Sequence, residues 1–111
     1  MSLHSDILYL SDMRDAARKV LRFAQGSTYQ DFLANEEKQW AVIRGIEIIG
    51  EASTKVGAES VAAHPELPWK QLRGMRNILI HGYADVDLTV VWGVIEEDLQ
   101  GLIDQLDQVL G

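Results

Sequence analysis

The feature that most limits what this chain can fold into is the spacing of its C-terminal apolar residues. Val90, Val91, Val94, Ile95, Leu99, Leu102, Ile103, Leu106 and Leu110 recur with a helical period, and Glu96, Glu97, Asp98, Asp104 and Asp107 cover the outer side. A helix so striped must bury its apolar side against other elements. Asp87 stands ahead of it as an N-cap, since its short carboxylate can accept from the free amides of a first turn. Leu3–Gln25 repeats the pattern with Leu3, Ile7, Leu10, Met13, Ala17, Val20, Leu21 and Ala24, and places Asp6, Asp12, Arg14, Asp15, Arg18, Lys19 and Arg22 on the other face. Gly26 is its stop signal.

Between these two helices the chain carries a third, Glu36–Lys55, capped by Asn35 and striped by Trp40, Ile43, Ile46 and Ile49, with Val42 and Ile48 offset. Gly45 and Gly50 lie inside it. Each costs about 1 kcal/mol relative to Ala in a helix interior, a cost that close helix contact offsets. Arg44, Glu47 and Glu51 run roughly along one side, where Arg44 and Glu47 can pair. Ser27 and Thr28 offer caps for a short turn at Tyr29–Ala34, and Ala58–Ala63 suits one or two further turns. After Pro65, Pro68 suits the first position of a helix whose apolar side holds Trp69, Leu72, Met75, Leu79 and Ile80. No stretch alternates as a strand does. The expected fold is all-α: four main helices packed largely antiparallel as a bundle, with one or two short ones, in one domain over residues 1–111.

Composition narrows the function classes. Without cysteine there is neither a disulfide framework nor thiolate chemistry. No secretory pattern and no membrane-length apolar run is visible, so a cytoplasmic protein with no membrane partner is expected. A net charge of −7 argues against a non-specific nucleic-acid coat. Lys70, Arg73 and Arg76 nonetheless form a local basic cluster.

That cluster leads into the segment richest in chemistry: Arg76, Asn77, Ile78, Leu79, Ile80, His81, Gly82 and Tyr83. Asn77 and His81, four apart, share a helix face, so Asn77 can orient the imidazole. Arg76 and His81, five apart, stand about 140° and about 7.5 Å apart on one helix, so a single helix does not bring them together easily. Gly82 suits a helix end that turns Tyr83 back. An Arg can clamp a phosphate and a His can move protons near neutral pH. Together they suffice for RNA cleavage by the neighbouring 2′-OH, without metal or cofactor. On residue types alone an Arg and a His five apart are a weak signal, and capping, pairing or packing is the commoner role for them.

Glu36-Glu37-Lys38-Gln39, Arg44, Ile46 to Ala52, Pro68-Trp69, Arg76 to Tyr83, and Asp87-Leu88 to Val91-Trp92 together resemble the HepT-like branch of the HEPN superfamily, over essentially residues 3–110. The family's Arg-x4-His-x-Tyr pattern falls on Arg76, His81 and Tyr83. The resemblance implies a small all-helical homodimer whose two motifs line a shared cleft and cut RNA, acting as the toxin of a toxin–antitoxin pair. Arg76 and His81 are then the catalytic residues, with Asn77, Glu47, Glu51 and Arg73 in support. It also implies a minimal nucleotidyltransferase antitoxin that adds AMP to Tyr83. The alternatives are a non-catalytic nucleotide-binding or regulatory dimer, and a helical partner protein.

Overall fold

The computed structural model describes residues 3–78 and 86–111, and every regular element among them is helical. In order these are α1 (Leu3–Ala24), α2 (Tyr29–Leu33), α3 (Glu36–Lys55), α4 (Ala58–Ala63), α5 (Trp69–Asn77), α6 (Leu88–Gly93), a π-helical segment (Val94–Asp98) and α7 (Leu99–Leu110).

The helix starts follow from local chemistry. Asn35 accepts from the Lys38 amide at 2.9 Å and opens α3. Asp87 accepts from the amides of Thr89 (2.9 Å) and Val90 (3.4 Å) and opens α6. Thr28 opens α2 with a full capping box: its hydroxyl accepts from the Asp31 amide at 3.1 Å while Asp31 accepts from the Thr28 amide at 2.9 Å. The Thr28 amide first, then the Thr28 side chain acting on the carboxylate, holds the Asp31 pKa below its ordinary value against the opposing effect of burial. Pro68 falls one residue short of the expected first helical position and serves as the N-cap residue of α5.

α3 is the central element, packed against α1 on one side and α5 on the other, while α7 packs against α1. Met13, Val20, Phe32, Val42, Ile46, Ile49, Leu72, Val91, Leu99 and Leu106 are all but sealed from solvent. Arg14 and Arg18 of α1 both reach the same Asp107 oxygen of α7, at 3.1 and 2.7 Å. Trp92 covers the far end of the core, its ring 5.3 Å from that of Phe32 and 6.1 Å from that of Tyr29.

Several side chains lie elsewhere than their spacing suggests. Asp6, assigned to the solvent face, is buried: it accepts from the Ser60 hydroxyl at 2.5 Å and the Gly57 amide at 3.1 Å. Gly57 brings no side chain to cap α4, so Asp6 does this from another helix and ties the two helix starts together. The Ser60 bond first, then the Gly57 bond, lowers the Asp6 pKa against the opposing effect of burial. Ile7, in the apolar stripe of α1, is 45% exposed, and Trp40, in the wide apolar stripe of α3, is 56% exposed. In α2 Leu33 is exposed and Phe32 is the buried residue.

The last helix is not uniformly α. Val91, Ile95, Leu99 and Ile103 are all buried at four-residue steps, and in an α-helix each such step overshoots a full turn by about 40°. The wider π turn at Val94–Asp98 takes up that drift. It lets Trp92 face α2 while Leu99, Leu102 and Leu106 join the core.

Candidate functional site

α3 and α5 carry the described candidate residues, and a backbone contact sets their spacing. A Cβ built on Gly50 would stand 2.5 Å from the Arg76 amide nitrogen, 2.8 Å from its Cα and 2.9 Å from its Cβ. Only a residue without a side chain lets the two helices approach so closely. The helix cost anticipated for Gly50 is thus offset by a contact with α5.

This approach brings Glu51 to Arg76. Glu51 Oε1 lies 4.0 Å from Arg76 Nε, with side chains 52% and 57% exposed. At that distance and exposure the pair is weak. Glu47, one turn back on α3, pairs instead with Arg44. Glu51 and Arg44 also wall a surface groove between α1 and α3 that includes Tyr9 and Lys55, the lysine Nζ lying 5.9 Å from the tyrosine ring centre.

α5 is the basic element of an acidic chain: Lys70, Arg73 and Arg76 all lie exposed on it, and it has no acidic residue. Steps of three residues advance about 4.5 Å and turn about 60° short of a full revolution, so the three cations follow a shallow path along the helix. Among the described residues neither Lys70 nor Arg73 has a carboxylate within 4.0 Å, whereas Arg76 has Glu51. The clusters of His, Asp and Glu that a metal needs are absent among the described residues. Asn77 is exposed at the end of α5.

Of the residues singled out in the sequence, the structure therefore brings Glu51 to Arg76, leaves Glu47 with Arg44, and sets Arg73 beside them on α5. His81 and Tyr83, with the Asn77–His81 pairing and the Gly82 turn, lie outside the described residues. Gly50 is the site-shaping residue whose partner the sequence did not reveal. Its one signal was a helix-interior glycine with no turn to make.

The described elements and the Arg-x4-His-x-Tyr sequence define the class: a small all-helical protein with a cationic helix leading into its one concentrated polar motif. Residues 13–109 match the ribonuclease HepT-like family, and the chain belongs to that family. It is 38% identical over 106 residues to a probable ribonuclease HepT of Thermococcus cleftensis, covering 96% of this chain and 94% of that protein. A putative RNase of Methanocaldococcus jannaschii is 36% identical, over 91% of this chain and 93% of its own length. Another, of Caldanaerobacter subterraneus subsp. tengcongensis, is 30% identical, over 92% and 91%. No solved structure matches the chain.

Proposed function

We propose that this protein is a metal-independent RNA endonuclease that acts as the toxin of a toxin–antitoxin pair. The observation that carries the reading is family membership over nearly the whole chain combined with an intact Arg76, His81 and Tyr83 set. The cations of α5 support it, because they offer a phosphate backbone a place to dock on a chain whose net charge is negative. Two copies form a dimer of HEPN-type four-helix bundles, and their motifs face each other across one cleft. The second copy supplies the second His and Arg that one helix does not bring together.

In the cleft, His81 of one copy removes the proton from a ribose 2′-OH. The freed oxygen attacks the adjacent phosphorus, and the bond from phosphorus to the 5′-oxygen breaks. The leaving oxygen takes a proton from the second imidazole. The products are a 2′,3′-cyclic phosphate and a 5′-hydroxyl, with no net oxidation and no added water. Arg76 clamps the non-bridging oxygens as charge accumulates on them. Glu51, weakly paired with Arg76, orients the guanidinium without neutralising it. Asn77 orients the imidazole, and Arg73 holds a flanking phosphate. A nucleotidyltransferase antitoxin adding AMP to Tyr83 sets a phosphate beside Arg76 and His81 and blocks substrate by bulk and repulsion.

The test is cleavage of structured and single-stranded RNAs in chelator by protein whose mass confirms an unmodified Tyr83, compared with His81→Ala. Cleavage that disappears in a folded His81→Ala supports the nuclease. Equal cleavage by both refutes it. A net charge of −7 favours one second reading, a regulatory dimer with a nucleotide in the same cleft. Absence of cleavage by the unmodified protein on every RNA would select that reading.

A further inference from the structure

We infer that Gly50 is a positioning residue for the cleavage reaction: the contact of its backbone with that of Arg76 fixes where the Arg76 side chain begins. The inference rests on the ribonuclease reading above and adds a residue that touches neither RNA nor the reacting atoms.

The argument begins with what stands in the way of a methyl group. At Gly50 the obstacles are the amide nitrogen, Cα and Cβ of Arg76, at 2.5, 2.8 and 2.9 Å. No side-chain rotation relieves contacts of this kind. At Gly45 the close obstacle is Val20 Cγ2, the end of a side chain, and at Gly74 and Gly101 nothing lies within 4 Å. The Gly50 contact is thus a contact with the backbone of the motif itself, at the residue that carries the phosphate clamp.

Two constraints act on Arg76 from α3. One is the backbone contact at Gly50. The other is the Glu51 carboxylate, 4.0 Å from Nε, with both side chains more than half exposed. An exposed pair at that distance holds a guanidinium loosely. The backbone contact is far stiffer, because packed interiors resist even sub-ångström overlap. Leu72 and Met75, buried on the same helix, seat the rest of α5. A methyl group at position 50 must therefore move Arg76 by about 0.9 Å to reach an ordinary 3.4 Å contact. Displacement of a catalytic group by about 1 Å costs on the order of 100-fold in rate. The loss falls on kcat because the clamp acts on charge that develops in the transition state.

The experiment compares cleavage by wild type, Arg76→Ala and Gly50→Ala. Gly50→Ala is made in a Gly101→Ala background, whose added methyl group meets open space on α7 and whose better helix former helps keep the variant folded. The expected result is background activity close to wild type and a kcat about 100-fold lower with Gly50→Ala. KM stays within about threefold of the background, and the largest amide NMR shift falls on Arg76. A folded Gly50→Ala with kcat within threefold of its background overturns the inference, as does a loss that vanishes once activity is normalised to the folded fraction. Wild-type cleavage that survives Arg76→Ala removes the role of Arg76 instead, and the failure then belongs to the ribonuclease reading.

Discussion

The contact between α1 and α3 at Gly45 gives a stability prediction that can be worked from distances. A Cβ at Gly45 would lie 2.2 Å from Val20 Cγ2 but 3.7 Å from Val20 Cβ, so the conflict is with one methyl group of a sealed side chain. Val20 is β-branched and helical, which leaves it almost no second rotamer. Overpacking of this severity costs about 3 kcal/mol, and replacing a helix glycine by alanine returns about 1, so Gly45→Ala destabilises by about 2 kcal/mol. Val20→Ala removes two buried methyl groups and leaves a cavity, at about 2.5 kcal/mol. The double variant has no clash, keeps the helix gain and partly fills the cavity, so it lies only about 1–1.5 kcal/mol below wild type. Independent changes would cost about 4.5 kcal/mol, which makes the coupling about 3 kcal/mol. At about 4 °C per kcal/mol for a chain of this size, Tm falls by about 4–6 °C in the double variant. Additive behaviour would lower it by about 18 °C. Urea and thermal unfolding of the four proteins at one fixed concentration measure the cycle. Additivity within about 0.5 kcal/mol would refute the claim that Gly45 is glycine because of Val20.

Three further outcomes are expected. Gly101→Ala, on an exposed face with open space for its methyl group, raises stability by about 1 kcal/mol, read as a Tm rise of about 4 °C. Thr28→Ala, which removes one half of the α2 capping box, lowers stability by about 1 kcal/mol in urea unfolding. Asp6 has a folded pKa below its ordinary value of 3.8, so its carboxylate stabilises the fold above that value and the contribution is lost as pH falls through the folded pKa. The Tm gap between wild type and Asp6→Asn should stay level above about pH 5 and narrow below it; a gap that widens in acid would contradict the Ser60 and Gly57 bonds as its source.

What the sequence revealed divides along a physical line. The bounds of α3, the caps at Asn35 and Asp87 and the all-helical class rest on chemistry within a few residues, and they were legible. Asp6 and Ile7 were misplaced because burial at the margin of a helix face depends on the elements packed around it, and spacing does not record that. The Arg44–Glu47 pair, three residues apart, could be anticipated; the Glu51–Arg76 approach, across two helices, could not. Gly50 was legible as a residue that invites contact, while its partner emerged only from the packing of α5. The Arg76–Tyr83 motif was found by residue type and family likeness, and its arrangement at His81 and Tyr83 lies outside the described residues.

The π-helical segment at Val94–Asp98 bears on how this chain tolerates changes of length. Removing one residue from a regular helix swings everything beyond it by about 100°. Removal of a residue such as Gly101 should therefore turn the buried faces of α7 away from α1. Between Val94 and Asp98 the chain already holds slack, and Glu96 and Glu97 there are exposed. Loss of either can be met by tightening the wide turn to an ordinary one, with Leu99–Leu110 left in place.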